Sequence, residues 1–460
     1  MGTGMHMIRL IRTGAVAAAL LAVTTACGVK AEPGESERPT IVTVWTKDRH
    51  DAAFQEAKID EYNRANQDNI KVEYKIYSDN YYQVVNTAFQ NHNGPDLMAY
   101  TSQLYDEYQR KNYFADISPY MDDEFRDTFG SLMMEGVNLI GGKCYYIPTG
   151  ATGVRLFYNK TLFERAGIEK PPETMEELVA DAERITRQFS GEGIYGFASN
   201  MKNPKSALDR SVTKQGVREQ GVKAGFDFGQ GRYAFEKYTD LITQWRELMS
   251  DRCAYPNCEE LDIDPLRQLF SEGKIGMYMS YTHSEEGVYK KQFPMEEEWD
   301  CVKLPTTAGR AVGRQNYSLN SAYLFNAASP HMDEAWKVYR AIFTNQEYLE
   351  EYYMNGLGIS VVPAVIEEAR QNGYKPKGTA ALVQEDERLW PSAPQEANPG
   401  AVAVKGLDMY DTMKNLIFGT EDIREGLRDL SLRYNEAYQK GIGDNIGSEF
   451  RIDGFDPMNP

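Results

Sequence analysis

Cysteine is scarce in this 460-residue chain, with five in all, and one of them, Cys27, lies near the start. The other four, Cys144, Cys253, Cys258 and Cys301, are dispersed and have no histidine close by, which excludes the clustered ligand spacing of a zinc centre. Cys253 and Cys258 enclose Ala-Tyr-Pro-Asn, a turn-forming segment that a local bridge can close in an exported protein, so a Cys253–Cys258 disulfide is expected. Cys144 and Cys301 read as buried thiols. Histidine is equally sparse: His6, His50, His92, His283 and His331 show no metal-ligand spacing, and no metal or cofactor is expected. A basic surplus is missing too. The net charge of −18 argues against a nucleic-acid partner, whose phosphates need a basic surface. Apart from residues 14–23 there is no long apolar run, so nothing else reads as spanning a membrane. G-x-S-x-G, H-E-x-x-H, a P-loop and a post-strand G-x-G-x-x-G are all absent. Paired carboxylates of a glycoside hydrolase would escape such a search, because the partners need not be close in sequence.

What is present begins with an address. Arg9 and Arg12 precede the apolar run GAVAAALLAV and then Thr24-Thr25-Ala26-Cys27, which reads as a secretion signal over 1–27. The cysteine after small residues resembles a bacterial lipoprotein signal, with Cys27 lipidated and holding the protein on the outer face of the cell membrane. Thr24 stands where that signal has an aliphatic residue, so cleavage at an ordinary site, giving a periplasmic or secreted protein, is the alternative. Residues 28–40, with Pro33, Gly34 and Pro39, read as a flexible tether. An apolar content of 42% in so long a chain predicts two lobes, since one core rarely organises that many residues. Thirty tyrosines offer flat apolar faces with polar tips.

Residues 41–46 (IVTVWT) predict a buried strand, 51–65 a helix with Phe54, Ala57 and Tyr62 inward, and 70–77 a strand of period two. A helix over 82–90 and a short strand over 96–100 (DLMAY) complete a strand–helix alternation that predicts a parallel, doubly wound sheet. Ligands meet such sheets beyond the carboxyl ends of strands, which puts Lys47, Asp48, Tyr100 and Thr101 on the ligand edge. Residues 142–160 (GKCYYIPTGATGVRLFYNK) hold two β-rich runs around the small residues 149–153, the pattern of a crossover between lobes or of an ordinary strand, loop and strand. Thr174 and Glu177 form a capping box opening a helix whose inward face is Met175, Leu178, Val179, Ala182 and Ile185. Residues 194–200 (IYGFASN) are a short strand ending in Asn200. A long helix over 231–250 and a last amphipathic helix capped by Thr420 are also expected.

Several of these stretches together resemble one family. IVTVWT (41–46), NGPDLMAY (93–100), residues 142–178 with YYIPTG, LFYNKTLFERAGI and PPETMEEL, FSEGKIGMYMS (270–280), VKLPT (302–306), NAASPHMDEAWKVY (326–339) and EDIREGLRDL (421–430) are similar to the extracellular solute-binding proteins of ABC transporters. Within these, the resemblance is to the carbohydrate-binding group (family 1) that includes maltose-binding protein. It implies an α/β, two-lobed periplasmic-binding-protein-like fold, each lobe a doubly wound, mainly parallel sheet flanked by helices, joined by hinge strands. Lobe 1 would be 38–148 and 306–360, and lobe 2 would be 153–302 and 361–460, with hinges near 148–153 and 302–306. The implied function is capture of a mono- or oligosaccharide between the lobes by a monomer, and delivery to the permease subunits of an ABC importer, without catalysis. A receptor for a peptide or other polar small molecule, and a secreted carbohydrate-active enzyme, are the alternatives.

The resemblance carries ligand positions onto Thr46, Lys47, Asp48, Tyr100 and the segment from Thr149 to Gly153. Thr152 stands where the maltose binder has a glutamate. Lys205, His283 and the vicinity of Gly400 stand where it has sugar-stacking aromatics, and Tyr281 and Trp390 lie close enough to substitute. Sugars stack their C–H faces on rings and hydrogen-bond planar polar groups, so Trp45, Asn200, Asn316 and Tyr317 join the candidates. Lys202, Lys205 and Arg210 read either as solvated surface or, if they face the cleft, as a preference for an anionic sugar such as a uronate.

Overall fold

The computed structural model describes residues 38–77, 80–135, 137–376 and 387–460. The signal at 1–27, with Cys27, and the tether up to residue 37 lie outside them. The β-branched run at the start forms β1 (Thr40–Thr46), followed by α1 (Ala52–Ala65), β2 (Ile70–Ile76), α2 (Tyr81–Gln90) and β3 (Leu97–Ala99). The chain leaves through β4 (Gly150–Thr152) into β5 (Val154–Asn159), α3 (Met175–Phe189), β6 (Tyr195–Phe197), α4 (Pro204–Asp209), α5 (Val212–Gln220), β7 (Ile275–Tyr281) and β8 (Trp299–Val302). It returns through β9 (Ser318–Asn320) and β10 (Tyr323–Phe325), then β11 (Ile359–Ser360) and α6 (Pro363–Gln371), and ends with α7 (Ile423–Gly443).

Two sheets organise two cores. In the first, ordered β10-β3-β1-β2, β1 runs parallel to β2 and to β3, and β10 is antiparallel. The outer edge of β2 is covered by side chains. Asn63 exchanges two hydrogen bonds with the Val72 backbone (2.7 and 3.0 Å) and Asn66 two with Ile70 (2.9 and 3.1 Å), so the edge offers no free ladder there. In the second, ordered β8-β5-β7-β6, only β7 and β6 pair in parallel. The expected mainly parallel sheet therefore holds for strand direction but not for pairing in this lobe. β5 arrives from the crossover, runs outward from the cleft, and lies between two strands that run back.

The first core gathers Val42, Val44, Leu97, Met98, Ile147, Leu324 and Val365, and the second Leu156, Phe157, Leu178, Trp245, Tyr278, Leu304 and Leu427. Leu304 thus belongs to the second lobe, where Thr306 also bridges Thr174, so the chain has not crossed at 302–306. It crosses later, at β9. Val365 and Ala369 of α6 pack into the first core, which extends that lobe beyond residue 360. Between the lobes, β4 pairs with β9 and β11 in a three-stranded antiparallel sheet that ties the crossings together.

Local chemistry accounts for the other elements. Thr174 Oγ1 accepts from Glu177 N at 3.1 Å and Glu177 Oε2 from Thr174 N at 3.2 Å, and the inward face of α3 is the one its pattern predicts. An added Cβ at Gly196 would stand 2.1 Å from the Ala182 carbonyl oxygen, so glycine is what lets β6 meet α3. α7 is capped by Asp422, not Thr420. In α1 the buried residues are Gln55 and Ile59, and Ala57 faces solvent. The helix expected over 231–250 shortens to Thr239–Leu248, because Arg232–Tyr233 pairs with Phe226–Asp227 first. Cys253 and Cys258 are free thiols, not a disulfide. Cys253 Sγ turns inward to the Val179 carbonyl (3.6 Å) and Cys258 Sγ to that of Tyr255 (3.0 Å), and burial pushes both thiols up to about 11.

Candidate functional site

The carboxyl ends of β1, β3 and β7 converge with the central sheet on a cleft of about 1110 Å³ walled by both lobes. Lys47 and Asp48 follow β1 and pair at 2.8 Å, with Asp48 N–H donating to Thr46 Oγ1. Burial raises the Asp48 pKa, but Lys47 and His50 outweigh it and hold the carboxyl at about 2, so the group is an anion. His50 donates from Nε2 to the Leu357 carbonyl at 2.9 Å. Tyr100 follows β3 and packs on Tyr146, ring centroids 4.4 Å apart, while Thr101 caps the next helix through Leu104 N.

The central sheet contributes Thr149 and Thr152. Thr149 Oγ1 donates to Ser321 O at 2.7 Å, a bond that ties β4 to the returning chain. Thr152 Oγ1 donates to Gly153 O and meets His283 Nδ1 at 2.7 Å, so the imidazole donates from Nδ1 and keeps an acceptor at Nε2. Burial, then His50, pushes the His283 pKa well below the usual histidine range, leaving a neutral ring. That ring lies 5.3 Å from His50 across the cleft and 5.7 Å from Tyr281.

On the second lobe, Arg210 lies 4.6 Å over the Tyr281 ring. Tyr410 donates to Asp209 at 2.9 Å; burial raises the Asp209 pKa, against the pull of Lys214 and Lys205. Trp390 lines the cleft while its Nε1 donates to Arg314 O, and Tyr317 enters beside it through a backbone bond to Arg388. A buried pair, Arg155 to Glu387 at 2.6 Å, holds this loop to β5.

Of the sequence candidates, the cleft brings together Lys47, Asp48, Tyr100, Thr101, Thr149, Thr152, Tyr281, His283, Tyr317 and Trp390. Three lie elsewhere. Trp45 packs against Tyr77 (4.9 Å) and lines a shallow groove over α2, because its side chain leaves the face of β1 rather than its end. Asn200 is buried and bonds Ser206 at 3.1 Å, and Asn316 is buried in a bridge to Arg388. Lys205 lines the cleft, whereas Lys202 is exposed near Asp262. His50, Asp209, Lys214, Lys223 and Tyr410 were not foreseen as contacts; only the basic run over 202–214 hinted at any of them.

Residues 46–348 match the family model for bacterial extracellular solute-binding proteins, and the chain belongs to that family. A binding protein of Brucella abortus (strain 2308) is 26% identical over 268 residues, covering 55% of this chain and 63% of that relative, so the match spans less than two thirds of its length. Among solved structures, an ABC transporter solute-binding protein from Thermotoga lettingae TMO bound with alpha-D-tagatose superposes with TM-score 0.70 at 17% identity, covering 87% of this chain and 100% of that one. The maltose/maltodextrin-binding domain from Bdellovibrio bacteriovorus bound to maltotriose gives 0.67 at 16% identity, covering 87% and 99%. The fold is the two-lobed one of these binding proteins.

Proposed function

We propose that the protein captures a saccharide in the inter-lobe cleft and delivers it to an ABC importer. The observation that carries this reading is a cleft whose walls alternate rings (Tyr100, Tyr281, Trp390, Tyr410) with hydrogen-bonding groups (Asp48, Thr152, His283). Its volume lies just above the roughly 300–1,000 Å³ of small-molecule sites, room for more than one sugar ring. Rings take the C–H faces and the polar groups take hydroxyls, with neutral His283 accepting through Nε2. The central sheet of β4, β9 and β11 serves as the hinge about which the lobes close. The protein acts as a monomer without turnover, held outside the cell through lipid on Cys27.

Intrinsic fluorescence titration with neutral and acidic mono- and oligosaccharides tests ligand class. Saturable changes without cleavage products on chromatography are expected. A flat response to every saccharide, or hydrolysis of any, overturns the reading. For the anchor, Cys27→Ala should move the protein from the membrane fraction to the medium.

A further inference from the structure

Three lysines on the second lobe's wall, Lys205, Lys214 and Lys223, face three carboxylates, Asp209, Glu396 and Asp408, yet the hydrogen bonds of these acids go to groups other than Lys205 and Lys214. Asp209 accepts from Tyr410, Glu396 from Lys223 (3.2 Å) and the Ala393 N–H, and Asp408 from the N–H groups of Tyr410 and Asp411. Lys223 is taken up by Glu396 and by the Pro391 carbonyl. Lys205 on α4 and Lys214 on α5 also line the cleft, and neither ammonium group has a hydrogen bond or an ion pair among the described residues. Lys205 is exposed and its ammonium can stay in water. Lys214 is half-buried, and an ammonium held there without a partner is unfavourable until an anion arrives. Burial, then the neighbouring Lys223, lowers the Lys214 pKa, against the opposing pull of Asp209 and Glu396. Arg210, stacked on Tyr281, adds positive charge, whereas on the opposite wall Lys47 is neutralised by Asp48.

We infer that the ligand is an acidic saccharide whose carboxylate sits between Lys205 and Lys214, with its ring on Tyr281. This rests on the saccharide-binding reading above and narrows it to one chemical class. Two charge-assisted contacts orient the sugar, and the same two ammonium groups disfavour a cationic amino sugar.

The test is calorimetry with oligogalacturonate and oligoglucuronate, their methyl esters, which keep the shape and lose the charge, and neutral oligosaccharides of the same length. The acid should bind at least about tenfold more tightly than its ester, with affinity falling as salt rises. Lys214→Gln should abolish that preference and Lys214→Arg keep it, both with wild-type melting temperature. Esters or neutral sugars binding as well as the acids, or an unchanged acid-to-ester ratio in Lys214→Gln, overturns the inference and leaves saccharide binding intact. If no acid, ester or neutral sugar binds, both readings fail.

Discussion

His283 meets Thr152 of the central sheet with Nδ1 and is held neutral by burial and by His50. The unfolded chain takes up a proton here near pH 6.5 and the folded chain does not, so folding is disfavoured as pH falls below that value and is unaffected by this group above it. Asp48 acts in a separate window. Its carboxyl is held at about 2 against an ordinary 3.8, so its contribution is complete above about pH 4 and is lost toward pH 2. Urea unfolding at pH 7.5 and 5.5 should therefore show His283→Gln losing less stability on acidification than the wild type; equal losses would refute this account. Glu387 makes a different prediction. Its carboxylate is buried with Arg155 and also accepts from Gln315 at 3.1 Å, so Glu387→Ala removes the counter-ion of a buried guanidinium. Denaturant titration should show a loss of about 3–5 kcal/mol, and a loss under about 1 kcal/mol would mean that solvent reaches the pair.

At the scale of elements, short strands decide how the lobes are joined. β4 lies between β9 and β11, and a Cβ on Gly150 would stand 2.7 Å from Asn320 Oδ1 and Ser321 Oγ. Gly150→Val must push the returning strand aside. The expected outcome is weaker ligand binding and a smaller ligand-induced contraction in small-angle scattering; wild-type contraction would show that the lobes turn elsewhere. In α3 the capping box is local and separable, so Thr174→Ala should cost about 1 kcal/mol in chemical denaturation without changing affinity.

For the whole molecule, contacts of different strength join the lobes: the Gly287 N–H donates to Gly356 O at 2.9 Å, Tyr374 to Glu286 at 3.1 Å and Lys291 to Asn355 at 2.8 Å. Arg49 and Asp264 stand 3.7 Å apart and are partly exposed, a geometry worth about 0–1 kcal/mol. A ligand bound between the lobes adds its own contacts to these. A saturating ligand at a hundred times its Kd should raise unfolding free energy by about 2.7 kcal/mol, while Arg49→Ala should leave affinity within a few-fold of the wild type by calorimetry.

How far the chain could be read follows from the range of the forces involved. The alternation of β1, α1, β2, α2 and β3, and the capping box of α3, were legible because period, β-branching and caps act over a few residues. The end of β1 announced Lys47 and Asp48, since a parallel sheet presents its carboxyl ends to ligand. The faces of β1 announced nothing: Trp45 alternates to the side covered by α2, and which side that is depends on packing. The turn between Cys253 and Cys258 suited a bridge, yet the demand of the core for apolar atoms drew both thiols inward. Strands as short as β9 and β11 have no period to recognise, so the crossing at β9, later than the one expected at 302–306, emerged only with Leu304 in the second core. Local sequence thus determined the elements and the family, but the tertiary structure alone set Lys214, Tyr281 and Tyr410 around one cleft, because only the folded chain brings such distant residues together.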